Sequence, residues 1–384
     1  MIELTGRLKV MAETTREAAR ELRAWALLVD ADPDAMRACL ESAVCRMVLA
    51  AGTPVKYRPA GGPPPVEPSR DESCLEAVVA TVELARGDAG AILACPGPAL
   101  AGLAVRHLGS DGQQQHFYGR LADGRTWTFF AMTEPDRGSD ATAIQTRLEP
   151  DGSGGYLLHG RKRYIGNGAR GGIGVVFART GRSPLSIRAV MVEPPAPGWS
   201  GRRLAMVGLR GACLSELEFD GVPVAREMLL GEHLPPTRRG MWGAIKTFNN
   251  MRVQVGALAV GTALAVCDYV AEHRAQTRRR GDVGLAVVRA RAEAARQLLY
   301  QAAVRVDRDP DRGYLSCAAK LNATSVAVET ARWGAAALGP ASLIEHPLLE
   351  KWTRDACSFE FMEGTGNIQR LHVAQGYQQG DADA

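Results

Sequence analysis

The 384-residue sequence is short of several features, and each shortage removes a class of function. Its eight cysteines include no Cys-x-x-Cys pair, and none has a nearby histidine that would complete a zinc pattern, so no metal site is expected. Several, such as Cys267 in "ALAVCDYV", lie among apolar residues and read as buried free thiols suited to a reducing compartment. No run of about 18 apolar residues is seen, so no membrane span is expected. The opening "MIELTGRLKVMAETTREAAR" carries charges where a signal peptide needs its apolar core, and a cytoplasmic location is expected. Charge of one sign is scarce too: 46 basic residues face 42 acidic ones. The one basic run, "TRRRG" at 277–281, reads as a solvated turn or a phosphate contact, not a nucleic-acid surface.

What is present is the composition of a globular chain, 46% hydrophobic and 23% charged, long enough for a large core. Residues 1–125 read as helical, since "TTREAARELRAWALLV" and "SCLEAVVATVELARG" repeat apolar residues at helical spacing. "RPAGGPPPVEPSRD", 58–71, can be neither helix nor strand. From 126 to 233 the period shortens. "TWTFFAMT", "GYLLHGRKRYIG", "GIGVVFART", "IRAVMVEP", "GRRLAMVG" and "LSELEFDGVPV" read as strands of an antiparallel β-domain. From 234 to 384 long Ala-rich helices return and predict an antiparallel bundle. The order helices, sheet, helices lacks the βαβ alternation of a dinucleotide fold, and "GARGGIG" opens no helix.

Three segments carry candidate chemistry. In "FFAMTEPDRGSDATAIQTRLEP", Met132, Thr133, Gly138 and Ser139 cluster where a strand enters a loop. Small residues and hydroxyls there let the backbone approach a flat polar ring or a phosphate, although a turn-rich hairpin link reads the same way. In "GRKRYIGNG", Tyr164 could lie against a ring, with Ile165 and Gly166 offering backbone groups; a core tyrosine is the plainer reading. In "EFMEGTGNIQR", the carboxylate of Glu363 stands beside Gly364 and Thr365. An ionised carboxylate is a pure acceptor, and burial raises its basicity, so Glu363 is the candidate base, with Phe361 and Met362 as residues that could exclude water; a surface glutamate in an ordinary Glu-Gly-Thr turn is the plainer reading.

The combination resembles the acyl-CoA dehydrogenase family. "AMTEPDRGSD" is similar to its T-E-P-x-x-G-S-D loop and "GRKRYIGNG" to its G-x-K-x-W-I-T-N-G strand. "VGLRGACLSELEFDGVPVAREMLLG" resembles its G-x-R stretch and following strand. "EKWTRDACSFEFMEGTGNIQR" resembles R-D-A followed by E-G-T-x-x-I-Q-R. The resemblance implies an N-terminal helical domain, a central β-domain and a C-terminal four-helix bundle, with FAD between the last two. It implies removal of two hydrogens across the Cα–Cβ bond of an acyl thioester, on CoA or a carrier protein. Glu363 would take the α proton and flavin N5 the hydride, while the Glu363 N–H and a ribityl hydroxyl hold the thioester carbonyl. Some members carry the base before a helix arginine; here that position is Met251, which cannot take a proton, and Arg252 would steady the Glu363 segment. Thr133 would contact the flavin ring, Gly138 and Ser139 the pyrophosphate or thioester arm, and Thr365 the FAD phosphates. A homotetramer or dimer is implied, with an electron-transferring flavoprotein as acceptor. The alternatives are an acyl-CoA oxidase and a non-catalytic member that has lost FAD.

Three departures stand out. Tyr164 and Gly166 replace the family's Trp and Thr beside the flavin. In "RAQTR", Arg274 remains but Thr277 replaces an aromatic that reaches a neighbour's FAD. In "ALGPASLIEHP", only Gly339 survives of a Gly-Gly-x-Gly, and Pro340 lacks an N–H.

Overall fold

The computed structural model describes residues 1–58, 73–275 and 283–380. Most of the proline-rich 58–71 stretch, Thr277 and the arginines at 278–280 lie outside the described residues. Five helices come first: α1 (Gly6–Ala31), α2 (Ala43–Gly52), α3 (Cys74–Ala94), α4 (Ala99–Leu108) and α5 (Asp111–Gly119). Eight strands follow: β1 (Thr128–Ala131), β2 (Arg147–Pro150), β3 (Tyr156–Ile165), β4 (Ile173–Arg179), β5 (Ile187–Val192), β6 (Trp199–Arg203), β7 (Ser215–Val224) and β8 (Leu229–Leu230). Six helices close the chain: α6 (Met241–Ala275), α7 (Val283–Arg308), α8 (Tyr314–Leu338), α9 (Ser342–Glu345), α10 (Pro347–Ser358) and α11 (Gly366–Gln378). This is the helical, sheet, helical order expected from the sequence.

The sheet runs β6-β7-β3-β2-β4-β5-β8, with β1 added against β4. It is antiparallel-rich but not wholly antiparallel. β1 pairs parallel to β4, Thr128 opposite Ile173, and β2 meets β4 in parallel at Arg147 and Arg179. The β2–β3 hairpin lies between β1 and β4 in the chain and supplies the crossover that a parallel pair requires.

Two cores flank the site. Val78, Val82, Leu258, Leu299 and Ala323 weld α3 to α6, α7 and α8. Val105, Leu108, Phe117, Val175 and Phe177 seat α4 and α5 on the sheet. Each fully buried Val, Leu or Phe contributes about 1.5–3 kcal/mol. By length and composition the segment containing α6 could cross a membrane, with mean hydropathy 1.6 over 18 residues, which the sequence reading did not anticipate. That window is 94% buried inside the protein, because α6 is the central helix of the bundle.

α3 breaks its helical path at Asp88 (φ −167°, ψ 123°). The break sets the Asp88 carboxylate against the Lys351 ammonium (2.7 Å), the Trp352 indole N–H (3.0 Å) and the Ala91 N–H (2.7 Å). Lys351 also reaches Asp355 (2.6 Å), whose other oxygen accepts from the Leu209 N–H (2.6 Å). The aspartate of the R-D-A motif thus ties α10 and α3 to the 204–214 loop. That loop comes so close that a Cβ on Gly208 would lie 2.4 Å from the Arg354 carbonyl oxygen, which explains the glycine of "VGLRG".

Candidate active site

A cavity of about 1710 Å³ opens between the β-domain loops, the bundle, and helices α1, α3 and α4. Pockets for drug-sized ligands are typically ~300–1,000 Å³, so this one has room for a dinucleotide and a thioester together. Met132, Thr133, Gly138 and Ser139 line it from the β1 exit loop, and Tyr164, Ile165 and Gly166 from the end of β3. Arg252 lines it from α6, and Glu363, Gly364 and Thr365 from the turn before α11. Arg274, in the last turn of α6, and Gly339, at the C-cap of α8, do not line it.

The β1 exit loop is fastened from beneath. Glu134 is buried, and its carboxylate accepts from the Gln145 N–H (2.6 Å), the Thr146 N–H (2.8 Å) and hydroxyl (2.6 Å), and the Lys162 ammonium (3.0 Å). Lys162, wholly buried on β3, also donates to the Met132 carbonyl (2.8 Å). Burial works against ionised Glu134, but Lys162 and the Thr146 and Gln145 donors hold its carboxyl below the usual range. Burial pulls the Lys162 ammonium down to about 8, so at neutral pH both partners keep their charges. The Arg163 N–H bonds the Thr133 carbonyl (2.9 Å), which stitches the loop to β3.

Glu363, the candidate base, lies in the turn before α11. Its backbone is left-handed (φ 52°), and Gly364 follows at φ 100°. The residue is half-buried and borders the open cavity. Burial pushes its carboxyl up to about 7 against the pull of Arg252 and Lys320. Its carbonyl accepts from Arg252 Nε (3.3 Å) and Gln369 Nε2 (3.0 Å). Its own N–H has no acceptor among the described residues and is free for a ligand oxygen. Met251 lines the same cavity, so the alternative base position faces the site and carries no carboxylate. Phe361 is 74% exposed and lines the rim of the same cavity without packing on the core, whereas Met362 packs on the bundle core.

The residues fit FAD. Tyr164 presents a ring that is 56% exposed. Thr365, the N-cap of α11, makes no side-chain cap hydrogen bond and keeps its hydroxyl available at a helix N-terminus. Gly166 leaves open space, since a Cβ there would meet only the Ala212 carbonyl oxygen at 3.7 Å. Four supporting residues went unnoticed in the sequence: Glu134, Lys162, Lys320 and Gln369. Three of them stand at fixed letters of the motifs, Glu134 in T-E-P, Lys162 in G-x-K and Gln369 in I-Q-R, while Lys320 shows only as a lysine on the same helical face as the small residues Ser316, Cys317, Ala323 and Thr324.

Residues 129–222 match the acyl-CoA dehydrogenase middle domain, and residues 238–378 match the acyl-CoA dehydrogenase C-terminal domain. The chain belongs to the acyl-CoA dehydrogenase family. It is 32% identical over 285 residues to an acyl-CoA dehydrogenase of Bacillus subtilis, covering 71% of this chain and 73% of that protein. It is 30% identical over 310 residues to the short-chain specific acyl-CoA dehydrogenase of Megasphaera elsdenii, covering 77% and 80%. The structure of butyryl-CoA dehydrogenase from Megasphaera elsdenii superposes with TM-score 0.83 at 25% identity, over 98% of this chain and 100% of that one. As a member of this family the protein is a flavoprotein oxidoreductase, and its cofactor is FAD.

Proposed function

We propose that this acyl-CoA dehydrogenase desaturates the Cα–Cβ bond of an acyl thioester, with Glu363 as the base that takes the α proton. The carrying observation is a carboxyl held up to about 7 on the wall of a cavity large enough for cofactor and substrate. A base poised near the working pH combines a useful ionised fraction with a strong pull on the proton. The Glu363 N–H, left without a protein acceptor, would donate to the thioester carbonyl as charge develops there, an interaction typically worth about 3 kcal/mol. Arg252 holds the Glu363 carbonyl from behind. FAD, when bound, supplies the acceptor for the Cβ hydride. Thr133, Tyr164 and Gly166 would border the flavin, Gly138 and Ser139 the pyrophosphate or thioester arm, and Thr365 a phosphate.

The finer assignments belong to the same proposal. The acyl group is carried on CoA or on a carrier protein, which present the same pantetheine arm. Electrons leave to an electron-transferring flavoprotein. The chain acts in the cytoplasm as a homotetramer or dimer, with Arg274 and Gly339 serving the neighbouring subunit's FAD. The test is an anaerobic flavin-bleaching screen of acyl-CoAs beside acyl groups loaded on carrier proteins. Bleaching by one class, with slow recovery in air, is the expected result. Fast recovery in air would favour an oxidase. Colourless protein that releases no flavin on heating would overturn the catalytic reading. Glu363→Gln should keep FAD and lose bleaching.

A further inference from the structure

The turn that carries Glu363 is held by more than its own hydrogen bonds. A non-glycine residue in the left-handed region costs roughly 1–2 kcal/mol and persists only where its surroundings impose it. Three buried side chains converge on the carbonyls of this turn. Lys320 Nζ, on α8, donates to the Glu360 carbonyl (3.0 Å) and to the Gly364 carbonyl (2.7 Å). Gln369 Nε2, on α11, donates to the Glu363 carbonyl (3.0 Å) and the Gly364 carbonyl (3.1 Å). Arg252, on α6, adds the third donor to the Glu363 carbonyl (3.3 Å) and is itself braced by Asn249 (3.0 Å). Lys320 and Gln369 are fully buried. A long, buried lysine whose ammonium is given to two backbone carbonyls and not to a carboxylate partner needs a reason. The reason lies in the segment it grips.

We propose that Lys320 and Gln369 are positioning residues for the dehydrogenation: with Arg252 they form a carbonyl clamp that fixes Glu363 in its left-handed backbone and keeps its side chain on the cavity. The inference rests on Glu363 being the base. Lys320 does a second thing that Gln369 cannot. Its charge lies close enough to favour ionised Glu363, as does that of Arg252. The other titratable groups facing this turn are Glu360, whose carboxylate accepts from the Gly366 N–H (2.6 Å), and the Cys317–His372 pair (3.7 Å). Burial and Arg252 keep His372 below its ordinary value, and burial keeps Cys317 above its own, so both are neutral at pH 7.

The two residues can be separated. In flavin-loaded protein, Lys320→Met and Gln369→Leu should each speed hydrogen exchange of the 361–366 amides and slow anaerobic bleaching at least ~10-fold, as expected for losing hydrogen bonds from buried donors. Only Lys320→Met should move the midpoint of the bleaching-rate pH profile upward, because only it removes a cation. Should Lys320→Met fail to load flavin, Lys320→Arg keeps the charge and should keep the wild-type midpoint, while Gln369→Leu still tests the clamp. Wild-type exchange across 361–366 in both Lys320→Met and Gln369→Leu, with wild-type bleaching, would overturn the clamp and leave the base untouched. Full bleaching by Glu363→Gln would remove the base, and the exchange measurement would still decide whether the clamp holds the turn.

Discussion

Glu363 should leave the same number in two unrelated measurements. Its carboxyl rises from an ordinary 4.5 to about 7 because burial disfavours the charge. At ~1.4 kcal/mol for each pH unit, holding it ionised in the folded protein costs about 3 kcal/mol, and partial access from the cavity trims this to roughly 2–3 kcal/mol. A carboxyl raised on folding binds its proton more tightly in the folded chain than in the unfolded one. Its contribution to stability is therefore full below about 4.5 and is lost as pH climbs through about 7. Glu363→Gln removes that titration. Relative to wild type it should gain about 2–3 kcal/mol between pH 4.5 and 8, which for this chain length is roughly 3–4 °C in melting temperature. The same group should bend kcat/KM of the wild type, with a plateau above pH 7 and a tenfold fall per pH unit below it. The assay pairs thermal melts of both proteins at pH 5 and 8 with a kcat/KM profile from pH 5 to 9. A kinetic midpoint near 4.5, or a melting difference that is the same at both pH values, would refute the account of Glu363 as a buried, elevated base.

Other outcomes follow from the same geometry. In a Glu363→Gln background, Met251→Glu should restore measurable bleaching, because Met251 lines the same cavity; anaerobic stopped-flow reads it directly. Lys162→Met leaves Glu134 buried without its cation and should destabilise the protein by about 3–5 kcal/mol, with flavin lost early in a melt followed by absorbance and fluorescence. Gly208→Ala, placing a Cβ 2.4 Å from the Arg354 carbonyl oxygen, should cost about 1–3 kcal/mol. Gly112→Ala on α5, where nothing lies within 4 Å, should be neutral or stabilising by up to ~1 kcal/mol in the same denaturation series.

The sequence was most informative where the wall of the cavity is written in adjacent residues. Thr133 to Ser139, Tyr164 to Gly166 and Glu363 to Thr365 each form one short stretch, and local turn chemistry is visible within such a stretch. Partnerships between distant residues were invisible. Lys162 and Glu134 are 28 positions apart, and Lys320 and Gly364 are 44 apart. Nothing in composition pairs them. The strand pattern misled at one place for a physical reason. In "GRRLAMVG" only the exposed, polar start belongs to β6, while the apolar residues that suggested a strand form irregular backbone on the cavity wall, leading to Gly208 against Arg354. β2 was passed over because just one of its four residues, Leu148, is buried, too little alternation to register.

The burial of α6 has a consequence for how the protein is made. Helix α6 ends at Ala275, and α8, whose Ala323 and Ala327 cover it, begins only at Tyr314. On a translating ribosome that greasy stretch emerges well before its lid exists, exposed to lipid and to other nascent chains. Synthesis of this enzyme therefore passes through an interval in which chaperone capture competes with aggregation, and slowing translation just after α6 should lower the yield of soluble protein.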